Sequence, residues 1–404
     1  MKFPVTKIAF LGSVIPEDHS IDAPAMNVGG NMFQTQLIKS LTASFGTFPE
    51  IISTLPIATF PASRNVFIAP SYGRMEGDGY IRFVPFVNLL FMKEISICIF
   101  SFVYLMIWQL SHRRNRRIII IYNTYPPIAI AAIVSTWLFG GKVIAVVLDF
   151  PHNLAFDGSG WKGFLQRIVV KIEALCIARF DAIISATRYV AEDFGADLPV
   201  LVMEGGADIS DAMASVGSKT ADLIRSQPIC LFSGTLYEGN GIDLVLESFA
   251  VLKDKDLSLW IFGKGPLEAR VREAANKDKR IVYWGHLPHD EVKSYQKSAT
   301  VLLNVRPSRH LLTRYTFPSK LWEYLLSGRP VITTVLAGIP GEYYQFVYRL
   351  EDETPTGLAR RILEICTKSP KELDEFGRRA QDFVREKKNW TVQGKRIYEF
   401  INRI

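Results

Sequence analysis

The chain has 404 residues, which at about 100–200 residues per domain predicts two domains, or three. Hydrophobic residues make up 48% and charged residues 22%, ordinary globular usage that excludes a disordered, collagen-like or coiled-coil protein. Forty-seven Lys and Arg against 40 Asp and Glu give a net charge of +7. That excess suits a phosphate ligand or an acidic lipid surface and is too small to indicate nucleic acid.

The first apolar run, 8–15, is short and leads into Pro16-Glu17-Asp18. It reads as a first strand over 7–12 rather than a signal peptide. A polar loop reaches Gly29-Gly30, and a helix follows through Gln34, Leu37 and Leu41. Strands are predicted over 50–54 and 81–85.

Residues 95–110 read ISICIFSFVYLMIWQL, with no charge, and His112-Arg113-Arg114-Asn115-Arg116-Arg117 follows. A spanning helix needs about 20 apolar residues, and extending this one backwards meets Glu94 and Lys93. Spanning would also put the strand-like runs 8–15 and 118–121 on opposite sides of a membrane. The segment is therefore predicted to be an amphipathic or buried helix. One reading is a core helix of an α/β domain, whose C-terminal arginines suit the helix dipole. The favoured reading is a helix resting on the inner leaflet, with Arg113, Arg114, Arg116 and Arg117 attracting anionic lipid. Phe100, Phe102, Tyr104 and Trp108 crowd the same stretch.

Strands at 118–122, 142–148, 181–185 and 198–203 then alternate with helices, one of them opened by Tyr125-Pro126-Pro127. Apolar strands separated by helices predict a parallel sheet covered on both faces. Residues 207–227 are small and polar, a linker. The pattern restarts with strands at 228–232, 257–262, 281–284, 300–304 and 330–334. Helices are predicted at 241–252, 267–276, 290–299 and 319–327, and two more, 369–387 and 391–403, close the chain. The fold class is α/β, two Rossmann-like doubly wound domains facing a central cleft, with ligands expected at the carboxyl ends of the strands.

Cys98, Cys176, Cys230 and Cys366 lie far apart with no CxxC, and the six histidines show no ligand spacing. Reduced, mostly buried thiols and no metal site are expected. Three glycine turns follow strands of the second domain: Ser233-Gly234-Thr235, Gly263-Lys264-Gly265 and Gly285-His286. Each would meet a ligand at a helix N-terminus, where amides and dipole favour a phosphate. In RPSRHLLTRYTFPSKLWEYLLSG, from Arg306 to Gly328, Pro318 fits the first helical position. The amides of Ser319 and Lys320 would then face an anion beside the Lys320 charge, with Glu323 one turn on, able to accept from ribose hydroxyls. The alternative is an ordinary helix start with Glu323 paired to a nearby Lys or Arg. In the first domain Gly29-Gly30 could admit a phosphate closely. Asp149 or His152, at a strand's carboxyl end, could act as base or orient an acceptor hydroxyl.

The order and spacing of Ser233-Gly234-Thr235, Phe262-Gly263-Lys264-Gly265-Pro266-Leu267, Gly285-His286-Leu287 and Phe317-Pro318-Ser319-Lys320-Leu321-Trp322-Glu323-Tyr324 resemble GT-B glycosyltransferases, in particular glycosyltransferase family 4 (glycosyltransferase group 1). The resemblance is strong over 228–345 and weaker over the first half. It implies an acceptor-binding domain over 1–206, a nucleotide-sugar-binding domain over 207–388, and a last helix, 389–404, returning to the first domain. It implies sugar transfer, typically with retention and without a required metal or other cofactor. The acceptor would often be a lipid-linked glycan at the cytoplasmic membrane face, in lipopolysaccharide or polysaccharide synthesis. The donor diphosphate would lie against Gly234, Gly263, Gly265 and Lys320, with Thr235, Pro318 and Ser319 beside it. The base would sit at His286 and Leu287, with Glu323 on the ribose. Two departures stand out. The first of the family's usual two glutamates is Tyr315, and its phosphate-loop Arg and Lys are Thr235 and Asn240. Lys320 and Arg306 must then neutralise the diphosphate. The alternatives are a GT-B nucleotide-sugar epimerase and a catalytically silent, membrane-docked subunit.

Overall fold

The computed structural model describes residues 5–16, 25–75, 79–148, 160–194, 197–209, 227–253 and 256–404. It divides into two compact units, the first comprising 1–205 with 390–404 and the second 206–389. Most of the expected linker, together with Asp149 and His152, lies outside the described residues.

The first unit is built on strands β1 (Thr6–Gly12), β2 (Glu50–Ser53), β3 (Phe67–Ile68), β4 (Ser71–Met75), β5 (Gly79–Phe83), β6 (Phe86–Val87), β7 (Arg116–Tyr122), β8 (Lys142–Val147), β9 (Ala182–Ser185) and β10 (Val200–Val202). Its main sheet runs β10-β9-β8-β7-β1-β2-β5-β4. It is parallel except for β4, which pairs antiparallel with β5. The central strands β1 and β7 are buried over runs of Ile, Leu and Phe, as a sheet covered on both faces requires. The small strands β3, β4 and β6 were not among the expected elements. They are short and follow 55–66, which carries Pro56 and Pro61, so no sustained alternation marks them.

The helices of this unit are α1 (Val28–Phe45), α2 (Met92–Ser111), α3 (Pro126–Phe139), α4 (Gly160–Ile177), α5 (Tyr189–Asp193) and, from the far end of the chain, the helix Trp390–Arg403. Gly29 and Gly30 do not precede a helix, as expected, but lie in the first turn of α1. The Asn27 side chain accepts the Gly30 amide at 3.1 Å and caps the helix. Asn31 and Gln34 then tie the β1–α1 loop down, accepting from the amides of Ile15 (2.8 Å) and Ser13 (2.9 Å). The terminal helix packs on α1. Trp390 meets Phe33 edge-on at 5.0 Å, and a Cβ on Gly394 would lie 2.9 Å from the Ser40 carbonyl. Glycine permits that close crossing. The right-handed crossover rule puts α2, α3 and α4 together on the opposite face of the sheet.

Two of the four arginines after α2 are engaged within the first unit. Arg116 and Arg117 are the first residues of β7. Arg116 donates to Asn402 Oδ1 at 3.1 Å, and Arg117 donates to the carbonyls of Gln109 (3.1 Å) and Phe139 (2.8 Å), at the ends of α2 and α3. Guanidinium groups satisfy the unpaired carbonyls that end helices. Arg113 and Arg114 remain exposed. Trp108, expected among the interfacial aromatics, is buried.

The second unit contains β11 (Ile229–Ser233), α6 (Ile242–Val251), β12 (Ser258–Phe262), α7 (Glu268–Lys277), β13 (Ile281–Gly285), α8 (His289–Ser298), β14 (Val301–Asn304), α9 (Lys320–Leu326), β15 (Val331–Thr334), β16 (Tyr348–Leu350), α10 (Pro355–Cys366) and α11 (Pro370–Lys387); the terminal helix is α12. Its parallel sheet runs β13-β12-β11-β14-β15-β16. The apolar strands and the inner faces of α6 and α10 share one core. Strand β16 and helix α10 are additions to the expected elements. Helix α11 opens with a capping box, Ser369 and Glu372 each accepting the other's amide. Pro318 is not the first helical position, because α9 starts at Lys320 with Ser319 as its N-cap residue.

Candidate donor-binding site

The site is made by the carboxyl ends of four adjacent strands of the second unit, β13, β12, β11 and β14. Three of them end in a glycine of positive φ: Gly285 (74°), Gly263 (132°) and Gly234 (156°). Their backbones are in direct contact. The Gly263 amide donates to the Gly285 carbonyl at 2.7 Å, and the Gly234 amide to the Phe262 carbonyl at 3.0 Å. A Cβ on Gly263 would lie 1.9 Å from the Gly234 carbonyl oxygen, so both φ and space demand glycine there. Gly265 is as constrained, with a Cβ 2.5 Å from the Leu236 carbonyl. The two loops are zipped by Leu236 N–H donating to Lys264 O (3.0 Å) and Leu267 N–H to Leu236 O (2.9 Å). Thr235 and the Lys264 side chain are exposed above them. Side-chain-free backbone at several strand ends is the surface on which a diphosphate can approach amides closely.

Arg306 follows the fourth strand, β14. The Val305 carbonyl and the Arg306 amide back onto Gly241, the αL residue that starts α6. Tyr237 and Tyr324 are near enough to influence the guanidinium, and burial lowers its pKa. Among the described residues no carboxylate pairs with Arg306. It is a half-buried cation near Tyr237 and Tyr324.

Tyr324 anchors the first turn. Its phenol is fully buried, accepts the Ser233 amide at 2.8 Å and lies 3.1 Å from the Ser233 carbonyl. Burial pushes its pKa up, so the phenol stays protonated. The Gln296 amide donates to Ser233 Oγ at 3.2 Å and also to Glu323 Oε1. Glu323 further takes Lys320 Nζ at 3.0 and 2.8 Å and meets His289 Nε2 at 2.9 Å. A carboxylate offers about four lone-pair sites, and Glu323 has all of them engaged. The local pairing weighed as an alternative in the sequence is therefore present. A ribose hydroxyl reaches Glu323 only where one donor yields, and His289, with its side chain 52% exposed, is the freest of the three.

Of the expected donor residues, Gly234, Gly263, Gly265 and Arg306 converge on these strand ends, with Lys320 and Glu323 joined to them through Gln296 and Ser233. Pro318 and Ser319 lead into α9, and the Pro318 carbonyl accepts the Leu321 amide at 2.8 Å. His286 is exposed, Leu287 half-buried, and His289 rather than His286 contacts Glu323. Gly29 and Gly30 belong to the first unit. Tyr315, at the position of the missing glutamate, is buried. Sequence reasoning gave His289, Gln296 and Tyr324 no role. The i, i+7 spacing of His289 and Gln296 on one helix face was the available signal. Among the described residues no three His, Cys, Asp or Glu side chains gather to hold a metal.

Residues 227–368 match the family model "Glycosyl transferases group 1". That segment makes up most of the second unit. The whole chain has the GT-B fold of solved glycosyltransferases. It covers 98% of itself and 98% of the sucrose-phosphate synthase of Thermosynechococcus elongatus at TM-score 0.70 and 14% identity. For Anabaena HepE in complex with UDP the figures are 98%, 100%, 0.67 and 11%. For the E. coli trehalose-6-phosphate structure bound with UDP-2-fluoro glucose they are 98%, 99%, 0.68 and 11%. No curated protein matches the chain by sequence. The chain thus combines the GT-B fold with a segment similar to group 1 glycosyltransferases, and that segment carries the glycine turns, Arg306 and the Lys320–Glu323 pair.

Proposed function

We propose that the protein is a glycosyltransferase that moves a sugar from a nucleotide sugar to a lipid-linked saccharide acceptor at the cytoplasmic membrane face, in assembly of a cell-surface polysaccharide or lipopolysaccharide. The observation that carries the donor half is the meeting of Gly234, Gly263 and Gly285 with Arg306 on four adjacent strand ends. Departure of the nucleoside diphosphate develops negative charge. Arg306, Lys320 and the turn amides supply the stabilisation, with no metal required. UDP and UDP-glucose in the HepE complexes support a uridine diphosphate sugar as the donor to try first. Glu323 takes the ribose after displacing His289. Asp149 or His152 serves the acceptor, and transfer proceeds with retention.

The test is a thermal-shift screen of the full chain against UDP, GDP and their sugars. A ligand that binds only the native state raises Tm. A shift with a nucleoside diphosphate that Lys320→Ala diminishes supports the reading, and no shift with any nucleotide sinks it. Tyr315 in place of a glutamate favours a second reading, a subunit that binds donor without turning it over. Hydrolysis of the bound nucleotide sugar without acceptor separates the two.

A further inference from the structure

The first unit leaves an unusual amount of apolar surface uncovered, concentrated on one side of its sheet. Helix α2 exposes Ile95, Ile99, Ile107 and Leu110, and α3, packed beside it, exposes Ile130, Val134, Trp137 and Leu138. Those on α3 recur at i, i+4, i+7 and i+8, a complete helical stripe. Helix α4, packed on α3, exposes Phe164, Ile168 and Leu175 with the same period. Trp137 is 81% exposed. The face continues onto the edge hairpin, where Tyr72 lies opposite Arg82 and Arg74 opposite Tyr80. Both tyrosines are exposed, and the Arg82 guanidinium, 5.2 Å from the Tyr104 ring, joins the hairpin to α2. Soluble monomers rarely expose contiguous apolar patches beyond a few hundred Å².

Charge selects the occupant. Among the described residues of β4, β5, α2, α3, α4 and the turn after α2, the exposed cations are Arg74, Arg113, Arg114, Arg167 and Lys171, against Glu94 as the exposed acid. Pairing this face with its own copy would set these cations against each other, whereas a bilayer with anionic headgroups takes both cations and apolar side chains. Aromatic rings at the margin suit the headgroup level.

We propose that the α2–α3–α4 face, with the β4–β5 hairpin at its edge, lies on an anionic bilayer, with α2 in the plane of the interface. Helix α2 is long and apolar enough to cross. However, β5 before it and β7 after it belong to one sheet, and its inner side buries Ser101, Gln109 and Trp108 against its own unit. Crossing would strip that packing and put polar groups into lipid. The inference deepens the lipid-linked acceptor reading and rests on it for its purpose, but not for its test.

The test is flotation of the full chain with vesicles of phosphatidylcholine, with and without about one quarter phosphatidylglycerol. Wild type is expected to float with the anionic vesicles and weakly with the neutral ones. Trp137→Glu with Ile99→Glu should abolish flotation, and Arg113→Ala with Arg114→Ala should weaken it about tenfold or more, each at unchanged Tm. Leu138→Glu is the substitute where the double variant melts early. Wild type that stays unbound, or charge-inserted variants that float equally well, overturn the proposal. So does a solution dimer that Trp137→Glu dissociates in the absence of any flotation. The UDP thermal shift reads the other unit, so failure of the donor reading shows up separately.

Discussion

Tyr324 holds both backbone groups of Ser233, accepting its amide at 2.8 Å and lying 3.1 Å from its carbonyl. A residue on a helix thus fixes the strand end from which the first glycine turn springs. Tyr324→Phe leaves two buried polar groups without that partner, a loss of about 1–3 kcal/mol. The expected outcome is a lower Tm together with a raised donor KM at a smaller change in kcat, checked by melting curves and steady-state kinetics.

The same phenol sets an alkaline limit. Its pKa is raised in the folded chain, so the folded state keeps a proton that the unfolded state sheds near the ordinary tyrosine pKa of about 10. The stability contributed is complete below that pH and is lost as pH rises towards the folded pKa. Wild type should lose Tm above that pH more steeply than Tyr324→Phe, as melts across the alkaline range would show.

Glu323 and His289 compete with the ligand in a way that can be measured. With His289 at 2.9 Å from Glu323 Oε2, His289→Ala vacates an acceptor position. Donor KM should fall or stay level, while Glu323→Ala should raise it by roughly tenfold, the cost of a hydrogen bond to a charged group. Lys320→Ala should instead lower kcat, by about a hundredfold if it meets charge that develops on the leaving diphosphate. A matched set of kinetics on the three variants reads out all of this.

Glu173 is a buried carboxylate in α4. Burial pushes its pKa up to about 7, and its Oε2 has no hydrogen-bond partner. The folded state therefore favours the neutral acid. Its contribution is fully present below an unfolded pKa of about 4.3 and is lost as pH rises through about 7. Glu173→Gln should raise Tm at pH above 7 and change it little below pH 5, checked by melts of both proteins over that range.

The arginines after α2 should separate by role. Arg117 serves two helix-end carbonyls, so Arg117→Ala should cost about 1–3 kcal/mol. Arg113→Ala and Arg114→Ala, at exposed positions, should shift stability by no more than about 0.5 kcal/mol. Denaturant titration of the single variants tests the contrast.

The run of amino acids alone determined the alternation of apolar strands with helices, the restart of that pattern near 228, and the glycine turns after β11, β12 and β13. These are local signals, carried by periodicity and by conformations that glycine alone adopts cheaply. Residue types also marked Arg306, Lys320 and Glu323, since a spacing of three places the last two on one side of a helix. Tertiary structure decided what those side chains meet. His289 and Gln296 reach Glu323 from a different helix, Tyr324 reaches back 91 residues to Ser233, and Arg116 and Arg117 bond to groups at helix ends. Such partnerships depend on which strands neighbour each other in the sheet, and strand order is a property of long-range packing that no window of sequence contains.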